Sequence, residues 1–224
     1  MSKKVLFITG GNGEIGRSIV NNFKEYIIFS PSSREMDCSE IVSIRNYIKR
    51  AGINKIDILI HCAGINNPKS IKDITEKSIE KTMKINTFSF LYIIQELSKY
   101  FVDNKTKVVA ISSIYGSISR TGRLEYTTSK SALNGIVKSL ALELAPRGII
   151  INSISPGFIA TKLTFKNNSK PIVDEIISKI PLGRLGMPGE IAWYVKMLCS
   201  SRNKYLTGQN LIIDGGYIIG GFQK

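Results

Sequence analysis

The chain has only one histidine, His61, and three cysteines among its 224 residues. The cysteines Cys38, Cys62 and Cys199 follow neither a disulfide framework nor a metal-ligand spacing. His61 ends a short apolar run, where we expect it to pack at the end of a strand rather than to catalyse. The sequence therefore argues against disulfide-rich scaffolds, zinc enzymes and hydrolases built on a histidine triad, and we expect no metal site.

Long hydrophobic runs are also missing. After Met1 to Lys4, the apolar stretch Val5 to Ile8 is far too short for a signal sequence or a membrane span. We therefore expect a soluble, cytoplasmic protein that makes no membrane contact. A length of 224 residues with 43% hydrophobic content is enough to bury a full core, and we expect one domain covering residues 1–224.

Acidic residues are scarce beside basic ones, 17 against 31, which gives a formal net charge of +14. Such a balance can mark a nucleic-acid-binding protein. The lysines are scattered, however, and no dense basic run, zinc-finger spacing or aromatic-basic RNA motif accompanies them. We interpret the charge as a lysine-rich solvated surface, do not expect a nucleic-acid partner, and leave an acidic partner or a phosphate-bearing ligand open.

What the sequence does contain is an alternation of short β-branched apolar runs with longer amphipathic stretches. This alternation predicts a parallel sheet covered on both faces by helices, which is an α/β fold of three layers. The stretch 157–186 shows the least regular pattern and has the length of an active-site lid. The predicted strands are 5–8, 26–29, 56–60, 108–111, 149–154 and 211–213, and the predicted helices are 13–23, 40–50, 75–101, 126–144 and 188–200.

A glycine-rich segment follows the first predicted strand and leads directly into a helix. It reads Thr9-Gly-Gly-Asn-Gly-Glu-Ile-Gly16. Glycines in this context permit a tight turn and the close approach of a dinucleotide's pyrophosphate to the helix N-terminus. The pattern predicts a dinucleotide site, although a glycine-rich turn that binds no nucleotide remains the alternative at this point.

Tyr126 and Lys130 lie four residues apart in a predicted helix, so both side chains share one face, and Ser113 lies thirteen residues upstream of Tyr126. A nearby ammonium favours the phenolate, and we therefore expect Lys130 to lower the pKa of Tyr126 towards neutrality. A chance Tyr-x-x-x-Lys pair is the alternative, because the chain has 9 tyrosines and many lysines.

Taken in order, these motifs resemble those of the short-chain dehydrogenase/reductase family, from Val5 to about Tyr217. The resemblance implies a single Rossmann-like, doubly wound parallel sheet. The motifs that carry it are the turn at 9–16, Ala63-Gly64, Asn86, Ser113, Tyr126 with Lys130, Pro156-Gly157 with Thr161, and Asp214-Gly215-Gly216.

The resemblance also implies catalytic roles. Ser113 would hold the substrate oxygen, Tyr126 would give or take its proton, and Lys130 would bind the nicotinamide ribose while lowering the pKa of Tyr126. Asn86 matches the residue that holds a water linking the lysine to solvent. Ser112 is the competitor of Ser113, and the spacing to Tyr126 favours Ser113.

The family's cofactor contacts map onto a larger set of positions. The sequence departs from the family pattern at two places. The typical family turn has glycine where this chain has Glu14, and the usual Asn-Asn-Ala-Gly appears as His61-Cys62-Ala63-Gly64. The stretch Pro156 to Thr161 would cap the nicotinamide. The expected cofactor residues are Gly10, Gly11, Asn12, Gly13, Ile15, Ser32, Arg34, Asp37, Cys38, Cys62, Ala63, Gly64, Asn86, Tyr126, Lys130, Pro156, Gly157, Ile159 and Thr161.

The choice between the two nicotinamide cofactors depends on the residues after the second strand. No acidic side chain follows Phe29 to bind a ribose hydroxyl, and Arg34 can pair with a 2′-phosphate, so NADP(H) is favoured and NAD(H) is the alternative. The segment Arg34 to Cys38 resembles the family's next strand, which implies that the usual intervening helix is missing. Asp37 would then contact adenine, and a position on the surface is the alternative for Arg34.

The leading functional prediction is NADP(H)-dependent reduction of a carbonyl, most specifically a 3-oxoacyl thioester carried on an acyl carrier protein. The alternatives are an NAD-dependent sugar or alcohol dehydrogenase and, from another class, a non-catalytic nucleotide sensor or nucleic-acid-binding protein. Pocket residues are expected from the segments 114–125, 64–68 and 157–186. Arg120 and Arg123 fall in the first of these, with ordinary surface charge as their alternative role. By resemblance we also expect a homo-oligomer, a tetramer or else a dimer, that pairs through helices 75–101 and 126–144 and the last strand and helix.

Overall fold

In a computed structural model that describes residues 3–221, six parallel strands form one sheet in the order β2-β1-β3-β4-β5-β6. The predicted α/β class and parallel sheet are confirmed, and each predicted strand lies within two residues of its observed bounds. Central strands such as β1 and β5 are buried along their whole length because helices cover both faces. The strands are β1 (Val5–Thr9), β2 (Ile27–Phe29), β3 (Ile58–His61), β4 (Lys107–Ile111), β5 (Ile150–Pro156) and β6 (Asn210–Ile213).

Helices on the two faces enclose separate hydrophobic cores. On one face Ile44, Phe90 and Leu133 pack together, and on the other Ile19 packs with Val195. Within residues 3–221, no helix is long and apolar enough to cross a membrane. The helices are α1 (Glu14–Asn21), α2 (Ile41–Arg50), α3 (Glu76–Met83), α4 (Ser89–Leu97), α5 (Leu124–Leu144), α6 (Lys162–Asn167), α7 (Lys170–Lys179), α8 (Pro188–Leu198) and α9 (Tyr217–Gly220).

The chain reverses its direction across the sheet after β2, because β3 pairs with β1 on the side away from β2. The connection after β1 therefore leads towards β2, and the connection after β3 leads the opposite way across the sheet, towards β4. In open α/β sheets this divergence leaves a crevice at the carboxyl ends of the strands, where ligands bind. The glycine-rich turn and the segment after His61 both lie at this edge.

The predicted helix 75–101 is helical along almost its whole length but is not uniform. A π-helical turn, Lys84–Phe88, joins α3 to α4. Such turns insert an extra residue and often mark functional sites. Asn86 lies in this turn and is fully buried. Its side chain contacts the segment after β3, where its Oδ1 accepts the Ile65 N–H.

The predicted strand 34–38 is wrong. The Ser32 N–H and hydroxyl both donate to the Glu35 carboxylate at 2.8 Å, and the Ser39 N–H and hydroxyl both donate to Asp37 at 2.8 Å. These local hydrogen bonds stabilise two turns, and the segment forms no hydrogen-bond ladder with a neighbouring strand among the described residues. Ser and Asp side chains commonly have this effect on the backbone. The short β2 is therefore the edge of the described sheet, and turns replace a helix between β2 and α2, as the compressed sequence implied.

The prediction that 157–186 is irregular is also wrong, because this segment contains α6 and α7. Thr161 caps α6 by accepting the Thr164 N–H at 3.4 Å. In α7, Val173 and Ile176 pack onto Ile114 and Phe158. The helical spacing of these apolar residues is visible in the sequence, and the lysines around them obscured it.

Candidate active site

A cavity of about 530 Å³ opens at the carboxyl ends of β1, β3, β4 and β5. The structure brings most of the predicted site residues to its wall, although they come from distant parts of the chain. The predicted residues that line it are Gly10, Asn12, Gly13, Ile15, Cys62, Gly64, Ser113, Tyr126, Lys130, Pro156, Gly157, Ile159 and Thr161.

Other predicted residues lie outside this wall. Arg34 and Asp37 are exposed in the turns after β2, and Cys38 packs against the core, where burial raises the pKa of its thiol to about 11. Their assignment to the adenosine end of a cofactor remains a prediction. The predicted residues that do not line the cavity are Gly11, Ser32, Arg34, Asp37, Cys38, Ala63 and Asn86.

The glycine-rich turn keeps the geometry that a dinucleotide requires. Gly10 has φ +67°, and a Cβ there would lie 2.6 Å from the Ala63 nitrogen. Gly13 precedes α1 without a side-chain cap, so the first N–H groups of the helix are free of side-chain competition. Such uncapped N–H groups at a helix start favour a phosphate. The residues at this turn therefore fit a dinucleotide diphosphate.

Glu14, the residue that departs from the family's glycine, lies on this wall. Its Oε2 accepts the Lys162 N–H at 2.7 Å, which joins the start of α1 to the start of α6 across the cavity. The carboxylate also lies where the helix N-terminus favours an anion. It therefore bridges the two sides of the cavity at the place expected for the diphosphate.

Tyr126, Ser113 and Ser112 meet on the opposite wall. The Ser112 hydroxyl donates to the Lys130 carbonyl at 3.4 Å, which ties it to the α5 backbone. A hydrogen bond from the Ser113 hydroxyl, by contrast, lowers the pKa of Tyr126. Both serines line the cavity, and the contact with the phenol favours Ser113 as the functional one.

The predicted lowering of the Tyr126 pKa is wrong for this structure. Burial raises the pKa of Tyr126 to about 12, and this effect exceeds the lowering by Ser113 and by the charge of Arg123. The reason is desolvation, which disfavours the phenolate more than these neighbours favour it. Tyr126 is therefore a protonated phenol at neutral pH and is suited to donate a proton.

Lys130 shares the buried helix face with Tyr126. Its Nζ donates to the Ile111 carbonyl at 2.8 Å and lies 5.7 Å from the centroid of the Tyr126 ring. Burial lowers the pKa of Lys130 to about 8. The ammonium form therefore predominates at neutral pH, by about tenfold, and would stabilise negative charge that develops on the phenol oxygen.

Asn86 fixes the segment that follows β3. Its Oδ1 accepts the Ile65 N–H at 2.8 Å, and its Nδ2 donates to the Ile65 carbonyl and to Ser129 Oγ, both at 2.9 Å. A Cβ on Gly64 would lie 3.5 Å from both Asn86 Oδ1 and Lys130 Nζ. Asn86 thus holds the wall beside Lys130, and its link to a water remains a prediction.

His61 is fully buried at the end of β3, as expected for a packing residue. Its Nδ1 lies 3.0 Å from Thr9 Oγ1, and burial lowers its pKa to about 3. The same hydroxyl of Thr9 accepts the N–H groups of Cys62 and Ala63. His61 therefore helps to join β1 to the segment after β3 as a neutral ring.

Several side chains on the wall were not predicted as site residues. Arg17 lies one turn into α1 beside the glycine-rich turn, and its helical spacing from Glu14 was a usable signal. Asn66 and Asn167 carried no motif, but they lie in two of the segments expected to supply pocket residues, 64–68 and 157–186. Of the two arginines in the predicted pocket segment, Arg120 is exposed and does not line the cavity, whereas Arg123 is 5% exposed and lines it.

Comparison with known proteins gives a consistent similarity. Residues 19–218 match the family model described as Enoyl-(Acyl carrier protein) reductase. The chain is 32% identical to the 3-oxoacyl-(acyl-carrier-protein) reductase FabG of Rickettsia conorii, with 98% of both chains covered. It is 34% identical to the Aquifex aeolicus protein of the same name, over 94% of this chain and 86% of that one.

Solved structures share the fold. A short chain dehydrogenase family protein from Francisella tularensis superposes with a TM-score of 0.89 at 28% identity, over 97% of this chain and 99% of that one. The aldohexose dehydrogenase of Thermoplasma acidophilum gives 0.87 at 26% identity, over 97% and 94%. A blue fluorescent protein from a metagenomic library, in complex with NADPH, gives 0.87 at 26% identity, over 96% and 97%.

Proposed function

This chain belongs to the short-chain dehydrogenase/reductase family and is an NAD(P)-dependent oxidoreductase acting on carbonyl or alcohol groups, and we propose that it reduces a 3-oxoacyl thioester with NADPH. The observation that carries the proposal is the placement of Ser113, Tyr126 and Lys130 on one wall of a cavity whose other wall is the glycine-rich turn. A hydride donor and a proton donor can thus approach the same carbonyl from two sides.

Each side chain has a defined task in this reaction. Bound NADPH would supply the hydride to C3 of the thioester. Ser113 donates a hydrogen bond to the C3 oxygen, and Tyr126 donates the proton that converts this oxygen to a hydroxyl. The Lys130 ammonium stabilises the phenolate that remains until solvent returns the proton. The products are a 3-hydroxyacyl thioester and NADP⁺.

The thioester is favoured by the relatives and by the charge at the cavity mouth. The two relatives named above are 3-oxoacyl-(acyl-carrier-protein) reductases. Lys162 and Lys166 on α6 are exposed, and neither forms an ion pair with any residue in the range 3–221. Unpaired cations beside a cavity attract an acidic carrier protein or a phosphopantetheine arm.

NADP(H) is proposed over NAD(H) on two grounds. A neighbour of 26% identity is a complex with NADPH. Arg34 follows β2 with no acidic side chain at the strand end, and Arg17 is an exposed cation that lines the cavity. An arginine can bind a 2′-phosphate through two hydrogen bonds. NAD(H) remains the alternative cofactor.

Dehydrogenation of a sugar is the second candidate, because the cavity wall carries three amide side chains besides Asn12 of the glycine-rich turn, namely Asn66, Asn167 and Asn168. Amides suit the hydroxyl groups of a polyol, and one structural neighbour is an aldohexose dehydrogenase. Oxidation of aldohexoses with NAD⁺, in the absence of thioester reduction, would favour this second function.

The decisive experiment follows NADPH oxidation by the purified protein with an acetoacetyl thioester. Tyr126→Phe should lower kcat by about 10²- to 10⁴-fold, since it removes the proton donor, and should leave NADPH binding intact. Tyr205→Phe is the matched control, because Tyr205 is 98% exposed. Absence of turnover with a panel of ketones and thioesters, despite tight NADPH binding, would refute the reductase proposal.

A homo-oligomer is proposed as well, with a tetramer ahead of a dimer. Leu142 on α5 and Trp193 on α8 are 78% and 59% exposed, and large apolar side chains at the surface favour subunit contacts. The cytoplasmic location remains a prediction from the sequence. The non-catalytic alternative is set aside, because the family places the chain among the oxidoreductases.

A further inference from the structure

We propose that Arg123 positions the substrate by binding the C1 oxygen of a 3-oxo compound while Tyr126 and Ser113 hold its C3 oxygen. This inference rests on the proposed reductase function and specifies the substrate class as one with a second oxygen acceptor two carbons from the reacting carbonyl. That acceptor is either the carbonyl of a thioester or the carboxylate of a free 3-oxo acid.

Arg123 is a buried cation without a counter-ion. It is 5% exposed, and among the described residues 3–221 no carboxylate pairs with it. Glu125 is buried nearby in sequence, but it bonds to Ser78 and pairs with Lys69 at 3.7 Å. Burial of an unpaired charge is costly, and proteins keep such a group where a ligand compensates it.

The guanidinium retains donors for a ligand. Arg123 Nη1 donates to Asn66 Oδ1 at 2.9 Å, and its Cζ lies 5.8 Å from the centroid of the Tyr115 ring. A guanidinium has five N–H donors, so one hydrogen bond and one ring contact leave most of them available. The residue lines the same cavity as Tyr126 and therefore presents these donors to the substrate space.

The position of Arg123 relative to the proton donor is fixed. It is the N-cap of α5, three residues before Tyr126, and both residues line the cavity. The Tyr115 ring neighbours both, with its centroid 6.2 Å from that of Tyr126 and 5.8 Å from Arg123 Cζ. Asn167 Nδ2 donates to the Asn66 carbonyl at 2.8 Å, which holds Asn66 in place.

A 3-oxoacyl compound matches this arrangement because it carries two oxygen acceptors. They are bound to C1 and C3, which are joined through the single carbon C2. One oxygen meets the proton donor, and the other meets a cation that is already held in place. A preorganised cation at the second oxygen fixes which carbonyl faces Tyr126. A simple ketone lacks the second oxygen and gains nothing from the arginine.

The test compares Arg123→Gln with the unaltered protein on three substrates: an acetoacetyl thioester, acetoacetate and a cyclic monoketone. We expect kcat/KM to fall about 10- to 100-fold, mainly through KM, for the substrate whose C1 oxygen is bound. The value for the monoketone should change less than about threefold. Arg123→Lys should restore part of the loss, because it returns the positive charge.

Arg202→Gln is the matched control, since it removes an exposed arginine that does not line the cavity and should change none of the values. Selective loss with the thioester supports the proposal with a carbonyl acceptor, and selective loss with acetoacetate supports it with a carboxylate. An equal fall of kcat/KM on all three substrates in Arg123→Gln, or no fall on any of them, overturns the proposal. If no carbonyl is turned over, the reductase proposal fails by itself, and calorimetric binding of acetoacetate and of the thioester to the two proteins still decides the role of Arg123.

Discussion

Glu14 and Lys162 are 148 positions apart in the chain, yet the Glu14 carboxylate accepts the Lys162 N–H at 2.7 Å. This hydrogen bond joins the start of α1 to the start of α6. A carboxylate thus lies at the helix N-terminus that is expected to hold the cofactor's diphosphate.

Replacing Glu14 with Gln should therefore tighten NADPH binding. The amide oxygen can still accept the Lys162 N–H, but the negative charge that repels a diphosphate is removed. We expect the Kd to fall by about 3- to 10-fold at low salt, and by less at high salt, where charges are screened. Fluorescence titration measures this, with Glu143→Gln as an exposed control. An unchanged or larger Kd for Glu14→Gln would show that the carboxylate does not compete with the cofactor.

The pH dependence of reduction should report Lys130. Burial lowers the pKa of Lys130 to about 8 and raises that of Tyr126 to about 12. As pH rises through 8, the ammonium is lost while the phenol keeps its proton, so the phenolate formed in the reaction loses its stabilising charge. The value of kcat/KM for NADPH should fall above pH 8 by up to about tenfold per unit. A profile that stays level to pH 10, with binding of NADPH also unchanged, would contradict this role.

Arg34 should determine much of the preference for NADPH over NADH. Removing a cation that pairs with the 2′-phosphate weakens NADPH binding and leaves NADH binding unaffected. We expect Arg34→Ala to reduce the ratio of the two affinities by about tenfold, the effect of one charge-assisted hydrogen bond. Arg50→Ala, on the exposed end of α2, is the control. If the ratio is unchanged in Arg34→Ala but falls in Arg17→Ala, the phosphate contact belongs to Arg17.

Gly16 should be intolerant of a side chain. A Cβ there would lie 2.1 Å from the Gly10 carbonyl oxygen and 2.8 Å from Gly11 Cα, so α1 would have to move away from the turn. We expect Gly16→Ala to lower the free energy of unfolding by about 1–3 kcal/mol and to weaken NADPH binding. Chemical denaturation measures the first effect.

Gly189→Ala is the control for this prediction, because a Cβ at that position in α8 meets no atom within 4 Å. It should leave stability unchanged or raise it by up to about 1 kcal/mol, since glycine is a poor helix former. Equal destabilisation by both changes would mean that the close approach of Gly16 to Gly10 is unimportant.

The sequence by itself determined the fold class, the strands and the set of motifs. Short β-branched runs such as 108–111 that alternate with helical stretches are typical of a parallel sheet buried on both faces, and the shared helix face of Tyr126 and Lys130 follows from helix geometry. The family resemblance then indicated which residues would meet. Local turn chemistry overrode it at 34–38, where hydrogen bonds of Ser32 and Asp37 formed turns instead of a strand.

Only the tertiary structure decided the environment of each group. The pKa of Tyr126 rises because burial outweighs its neighbours, and no spacing reveals how much water surrounds a phenol. Arg120 and Arg123 look alike in the sequence, yet one is exposed and the other is buried in the cavity wall. Glu14 reaches Lys162 because the sheet brings the ends of β1 and β5 to one edge. Desolvation and long-range contacts depend on the packing of the whole chain, and a local sequence pattern therefore predicts neither of them.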